Sequence, residues 1–599
     1  MWLTSKGGLA RRDYIVAVTA SCTDAVGPQR RQGFLSDEAA GTSDSPSGWS
    51  TSLSRRLYNG LKMLACSKNE PKKGNSAKSI RVTLSIFNAM GCALLSFAVS
   101  APAEPCADIA DLKYPNAVIS VAEAFRGGAF TPEGQKSIED LPEFCRVAAV
   151  LRPSSDSDIR VEVWMPRANW NGRLEGTGNG GFAGSIVYKS LADGVRHGYA
   201  VVNTDMGMSV PSGSDPSIFA NRPERWTDWG WRSTHEMTLL AKLVVKAYYG
   251  RDANKSYFEG CSTGGEQGLA EAQRFPEDYD GIVAGAVANN RTGVHLSILW
   301  NFAALQRTPD AYIPQSKLSA LHNAVLAACG GDRALRQGFL DDLQTCRFDP
   351  ATLLCAGADG DNCLTGPQVE TARSLYAGPT NPRTHEILYS GMAAGSEYAW
   401  DKVDPDPAPG NQPPFAPIFK WVLGPRWDWR VFDWDRQASQ YEAALKDHVN
   451  ATNPNLDGLR RSGHKLLVYH GWADWLVVPG EAIRYYDAVA ARYNGSDNGN
   501  RRSKASMGEF YRLFMVPGIE HCAGGAGPDD IDPLSAMVDW VEHGIVPASL
   551  VATKRGPNGE IVMQRPVCPY PQVAAYTGVG SEADASSYSC ATSGNLRTR

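Results

Sequence analysis

Ser256-Tyr-Phe-Glu-Gly-Cys-Ser-Thr-Gly-Gly265 carries an apolar segment into closely spaced glycines, and its Gly260-Cys-Ser-Thr-Gly264 fits G-x-S-x-G. The pattern predicts a strand that turns sharply into a helix over about Glu266 to Arg274, with Ser262 on the turn. Glycine flanks the serine two positions to either side because a Cβ there would meet the neighbouring strand and helix. Such a turn lifts the serine hydroxyl clear of the sheet. The helix behind it points its amide-rich N-terminus at the same place, where developing negative charge is stabilised. A buried turn serine without chemistry is the plainer reading of five residues taken alone.

Two later segments decide between these readings. Leu466-Leu-Val-Tyr-His-Gly-Trp-Ala-Asp474 reads as a buried strand running into a loop that ends in an acid, and Phe514-Met-Val-Pro-Gly-Ile-Glu-His-Cys522 as a strand whose loop ends in a histidine. The order Ser262, Asp474, His521 is the order of an α/β-hydrolase triad, with each acid and base at the carboxyl end of a strand. In that arrangement His521 takes the serine proton and Asp474 fixes its tautomer. No other histidine follows an apolar run into a Pro-Gly loop so late in the chain; His470, the nearest rival, reads as a structural residue at a strand end.

Cys261 precedes the serine and Cys522 follows the histidine. With Trp170-Asn-Gly-Arg173, Gly178-Asn-Gly-Gly-Phe-Ala-Gly184, Tyr257 to Gly265, Tyr469-His-Gly-Trp-Ala-Asp474 and Pro517 to Cys522, the chain from about Cys106 to Cys590 resembles the tannase and feruloyl esterase family. The resemblance implies a Cys261–Cys522 disulfide tying the serine's turn to the histidine's loop. It also implies the pairs Cys106–Cys145, Cys329–Cys346, Cys355–Cys363 and Cys568–Cys590. Relatives carry a calcium loop of the form Cys-Asp-x-x-Asp-Gly-x-x-Asp-Gly, and aligned on Cys329 and Cys346 its three aspartates fall here on Gly330, Arg333 and Gln337. Calcium requires several hard anionic oxygens, so an arginine and a glycine among its ligand positions predict no calcium at that loop. A shifted site at Asp332, Asp341 and Asp342 is the alternative.

The 599 residues exceed one simple core, and a main domain with an insertion is expected. Residues 1–71 are rich in Ser, Gly and Arg without periodicity and read as disordered or as a mis-assigned start. Residues 72–103 join a basic region to the apolar Val82–Val99 and an Ala101-Pro-Ala103 site, the pattern of a secretory signal. Removing residues 1–103 takes 13 Lys/Arg and 6 Asp/Glu from totals of 59 and 64, leaving a balance of about −12. That charge argues against nucleic acid or an anionic membrane as partner. Ten of the thirteen cysteines remain, an even set that suits an exported, periplasmic or extracellular protein.

Residues 104–288 alternate short apolar runs with helical stretches: Val147–Leu151, Ile159–Trp164 with strict alternation, Gly198–Thr204, a helix over Met237–Tyr249, and Gly281–Gly285. This is the rhythm of a mostly parallel sheet covered by helices. In Gly176–Gly184 no Lys-Ser/Thr pair follows the glycines, which excludes a phosphate cradle and predicts an oxyanion loop, with an amide of Gly180 or Gly181 joining that of Thr263. Residues 289–455 lose the alternation to helices, Pro/Gly loops and aromatics and read as a lid; Trp400, Phe415 and Trp421 are its candidate substrate contacts. Residues 456–599 return to the core, with strands over Lys465–Tyr469 and Glu509–Val516, helices over Gly480–Tyr493 and Pro533–Glu542, and a tail read as stapled loop.

The expectation is therefore an α/β-hydrolase fold with a large lid, acting as a secreted serine carboxylic-ester hydrolase on small esters of aromatic, phenolic acids such as galloyl or feruloyl esters, with no cofactor; a hydrolase of terephthalate monoesters or another aromatic ester on the same fold is the alternative. A peptidase or lactonase on the same fold and a non-catalytic binding protein are further alternatives.

Overall fold

The computed structural model describes residues 105–210, 216–405, 411–494 and 507–593. The segments read as an irregular start (1–71) and a secretory signal (72–103) lie outside the described residues, together with Cys22, Cys66 and Cys92.

Nine strands make one sheet: β1 (Ala117–Phe130), β2 (Ile138–Leu151), β3 (Ile159–Pro166), β4 (Arg173–Thr177), β5 (Ala200–Thr204), β6 (Lys255–Cys261), β7 (Gly281–Gly285), β8 (Lys465–Gly471) and β9 (Tyr511–Val516). Their order is β1-β2-β3-β5-β4-β6-β7-β8-β9. The pairings from β5 to β9 are all parallel, while β1, β2 and β3 join the edge antiparallel. The sheet is thus mostly parallel and mixed, as the alternation of strands and helices predicts.

Both faces are covered, so the strands read as apolar runs. On one face Phe258, Ile282, Leu466 and Leu513 pack with helices Ser233–Tyr249 and Thr263–Arg274. On the other, Tyr257, Val283, Leu467 and Phe514 pack with helices Tyr188–Arg196 and Pro533–His543. Strand β3 shows why simple alternation misleads here: Val161 and Val163 enter the first core and Trp164 the second, so almost every side chain is buried.

Between β7 and β8 the chain builds an insertion with helices Arg291–Leu305, Gln315–Gln337, Gly366–Ala377, Ala416–Leu423 and Arg436–Val449. Its own core of Phe302, Tyr389, Trp400, Phe419 and Tyr441 continues into Trp226 and Trp229 of the β5–β6 connection. The tail is corrected: it is not loop but a three-stranded sheet of β10 (Asp530–Ile531), β11 (Leu550–Arg555) and β12 (Ile561–Val567), followed by a hairpin of β13 (Gln572–Tyr576) and β14 (Tyr588–Thr592). The turn at Gly556-Pro-Asn-Gly559, with Gly559 at φ +82°, closes β11 onto β12.

All ten cysteines from Cys106 onward are joined in the five pairs implied by the resemblance, with Cα separations of 4.9 to 6.0 Å. Five disulfides are the mark of a chain that folds in an oxidising compartment. Among the described residues no helix is long and apolar enough to cross a membrane.

Candidate active site

Strand β6 ends at Cys261, and Ser262 follows at φ +66° and ψ −118°, a left-handed conformation that costs a residue with a Cβ about 1–3 kcal/mol. The turn is held from both sides. The Ser262 amide donates to the Gly285 carbonyl at 3.0 Å, and the Gly264 amide donates to the Asn179 carbonyl at 2.8 Å. Space dictates the glycines: a Cβ on Gly260 would lie 2.7 Å from the Gly264 Cα, and one on Gly178 would lie 2.5 Å from it. The serine's turn and the Gly178–Gly184 loop are packed backbone against backbone.

His521, on the loop after β9, places Nε2 2.8 Å from Ser262 Oγ and Nδ1 2.9 Å from Asp474 Oδ2. A carboxylate only accepts, so Nδ1 carries the proton and Nε2 offers its lone pair to the serine. Asp474 is fully buried. Its Oδ1 accepts the amides of Leu476 and Val477 at 2.9 Å each, and His470 Nε2 stands 3.3 Å from Oδ2. Burial alone would push this carboxyl up, but His521, His470 and the bonds from both hold it well below the usual carboxylate range. His470 is also buried and donates from Nε2 to the Val477 carbonyl at 2.7 Å, so it braces the acid's loop. Cys522 is linked to Cys261 with Cα atoms 6.0 Å apart, one residue from His521 at one end and from Ser262 at the other.

In the glycine-rich loop the Gly178 amide donates to Glu259 O at 2.9 Å and the Asn179 amide to Gln267 Oε1 at 2.8 Å. Both are spent, and the next amides in line are those of Gly180 and Gly181. Thr263, first residue of its helix, presents an amide without an intrahelical acceptor. Its hydroxyl donates to the Gly181 carbonyl at 2.7 Å. Sequence reading missed what lies behind it: Glu266 and Arg291 are paired at 3.0 Å with side chains 1% and 4% exposed, and Arg291 Nη1 donates to Thr263 Oγ1 at 3.3 Å. Burial pushes the Glu266 carboxyl up to about 7 against the pull of Arg291. Nothing local in Asn290-Arg291 signals a buried cation, because its partner arrives through the β6–β7 pairing.

The expected substrate contacts separate. Trp400 is fully buried with its indole N–H donated to Ser396 Oγ, and Trp421 is 1% exposed between Trp226 and Trp229; both belong to the insertion's core and present no surface to a ligand. Those two assignments are corrected. Phe415 is half-buried, and its ring lies 5.0 Å from that of Phe182 on the glycine-rich loop.

The residues at the family's calcium positions do not fit a calcium ion. Gly330 and Gly331 lie inside helix Gln315–Gln337, which breaks at Gly331 with φ +63°. Arg333 Nη2 is 2.9 Å from Asp341 Oδ2, and Gln337 Nε2 donates to the same oxygen at 3.1 Å. Arg565 reaches Asp341 Oδ1 at 3.5 Å and donates to Gln337 Oε1 at 3.0 Å. Asp342 accepts from the Gln344 amide and from Ser593 Oγ. The oxygens of Asp341 and Asp342 are engaged by cations and donors of the chain itself.

The tannase and feruloyl esterase family matches residues 145–407 and 427–591. An uncharacterized esterase of Xanthomonas campestris is 37% identical over 85% of this chain and 95% of its own length. Feruloyl esterase B of Aspergillus niger is 31% identical over 76% of this chain and 88% of its own. The crystal structure of feruloyl esterase B from Aspergillus oryzae superposes with a TM-score of 0.73 at 28% identity, covering 81% of this chain and 99% of that one. The chain belongs to the tannase and feruloyl esterase family and is a serine carboxylic ester hydrolase with the α/β-hydrolase fold.

Proposed function

We propose that the protein is a secreted esterase that hydrolyses esters of flat aromatic acids, feruloyl-type esters first, with Ser262 as nucleophile, His521 as base and acid, and Asp474 as its orienter. What carries the reading is the chain of bonds of 2.8 and 2.9 Å from Ser262 through His521 to Asp474 on a left-handed turn. Ser262 Oγ forms a bond to the ester carbonyl carbon as its proton passes to His521 Nε2. The carbonyl oxygen, now negative, is met by the amides of Thr263 and of Gly180 or Gly181. The C–O bond to the alcohol breaks as His521 returns the proton, and water then releases the acid by the same steps. The rings of Phe182 and Phe415 suit a planar acyl group. The five disulfides and the signal-like 72–103 segment support export. Turnover of methyl ferulate, methyl gallate and a terephthalate monoester, with an aliphatic methyl ester as control, tests the substrate class; preference for the aliphatic ester would overturn it.

The Cys261–Cys522 bridge serves the site more than the fold. Its loop spans 261 residues, yet both cysteines adjoin reacting groups, and a displacement of about 1 Å at His521 costs about 100-fold. The Cys261→Ala, Cys522→Ala variant is expected to lose at least about tenfold in kcat while its far-ultraviolet circular dichroism stays native.

We propose further that the Cys329–Cys346 segment holds its shape without calcium, Arg333 and Arg565 supplying the positive charge that bridges to Asp341. The melting temperature is expected to be the same in chelator and in calcium. A drop of several degrees with chelator, reversed by calcium, would overturn this.

A further inference from the structure

The Glu266–Arg291 pair is buried beside the nucleophile and the triad does not use it. A buried ion pair is poor value for stability, since apolar residues of similar volume commonly do as well or better. Here the pairing is also incomplete: Glu266 Oε1 and Arg291 Nε have no partner. Its other bond is more informative. Arg291 Nη1 donates to Thr263 Oγ1 at 3.3 Å, and Thr263 Oγ1 donates to the Gly181 carbonyl at 2.7 Å. A guanidinium has no acceptor, so its bond occupies a lone pair of the hydroxyl and leaves the hydroxyl proton for Gly181. Gly181 has φ +56°, and a Cβ built there would meet nothing within 4 Å, so no neighbouring group crowds its α-carbon; within the turn the Ala183 amide donates to the Gly180 carbonyl at 2.9 Å.

We propose that Glu266 and Arg291 are positioning residues for the oxyanion loop. Through the Thr263 hydroxyl they pin the Gly181 carbonyl, and with it the turn from Gly180 to Ala183, so that the loop's amides stay converged with the Thr263 amide where the alkoxide forms. Arg291 supports the loop a second way, lying 4.3 Å over the Trp229 ring, which in turn is 5.7 Å from Phe182 of the loop. Neither residue touches a reacting atom. The inference rests on Ser262 being the nucleophile of an esterase.

The test compares Thr263→Val, which removes the hydroxyl at nearly constant volume, with Thr263→Ser, which keeps it, alongside Arg291→Met and the Thr263→Val, Arg291→Met double variant of the full chain. Expected for Thr263→Val and Arg291→Met is a fall of about 10- to 100-fold in kcat on methyl ferulate with little change in KM, because the loss is in the transition state. Thr263→Ser should exceed Thr263→Val by about tenfold, and the double variant should be no worse than the poorer single one, since both break one relay. A trifluoromethyl ketone analogue, which becomes an oxyanion on Ser262, should weaken in parallel while binding of ferulate itself holds. Equal kcat for Thr263→Val and Thr263→Ser, or a loss confined to KM, would overturn the proposal. A folded Arg291→Met with wild-type kcat would overturn it as well, and if Arg291→Met does not fold, equal kcat for Thr263→Val and Thr263→Ser still does. Ser262→Ala is run beside them: turnover surviving there sinks the assignment of Ser262 as nucleophile on which the inference rests, whereas an inert Ser262→Ala with equally active Thr263→Val and Thr263→Ser sinks the relay alone.

Discussion

Ser262→Ala is expected to lose about 10⁶ in kcat on methyl ferulate and keep its melting temperature, because the hydroxyl makes chemistry and almost no structure. Its oxygen bonds to His521 Nε2, and it provides no side-chain cap to the helix that follows. The strain of φ +66° is set by Gly285 and Glu266, whose backbones bond that of Ser262, and alanine carries the same Cβ, so the turn is neither relieved nor stressed. The amides around the site remain, and through them a residual rate of about 10³–10⁴ over the uncatalysed reaction persists. Steady-state kinetics with an active-site titration on the wild type gives the ratio. A folded variant with more than a tenth of wild-type kcat would remove Ser262 from the nucleophile's role.

What made the site legible was steric necessity. Gly260 and Gly264 flank Ser262 because a Cβ on either would press on neighbouring backbone, so the demand of the fold is written into adjacent letters. His521 and Asp474 could be read because each follows an apolar strand into a loop. Arg291 left no such trace: its partner Glu266 lies 25 residues earlier, and the two meet only because β7 lies beside β6. The aromatics failed for a different reason. A tryptophan in a helical insertion reads the same whether it fills the core, as Trp400 and Trp421 do, or lines a cleft, and only the packing of helices from distant parts of the chain decides. Strand β1 escaped notice because an edge strand with Gly127 and Gly128, half its side chains in solvent, has weak apolar periodicity. The tail's strands were obscured by turns at Gly556–Gly559, although Leu550–Arg555 is a plausible strand once its partner is known.

Asp474→Asn, which preserves the side chain's shape, is expected to cost about 10⁴ in kcat. The asparagine carbonyl can keep the amides of Leu476 and Val477 that now bond Oδ1. Its amide nitrogen must then face His521 Nδ1, donor toward donor, and the imidazole responds by moving its proton to Nε2. That puts a hydrogen toward Ser262 Oγ where the lone pair is needed, and the serine loses its base. The swap cannot be evaded by turning the amide over, because the amides of Leu476 and Val477 would then meet a donor. His470 tightens the constraint: its Nε2 proton is already given to the Val477 carbonyl at 2.7 Å, so the new nitrogen meets a second donor in a buried place, at a cost of about 1–3 kcal/mol in stability. The wild-type acid has the opposite linkage. Its folded pKa is depressed, so its contribution to stability is complete above the unfolded carboxylate pKa and is lost as pH falls through the folded value, well below the working range. Asp474→Asn should therefore be less stable than wild type at neutral pH, with the gap narrowing in strong acid as the wild-type carboxyl protonates. Melting curves across pH with kcat at neutral pH check both halves. A variant that keeps a tenth of kcat would show that His521 holds its tautomer without Asp474.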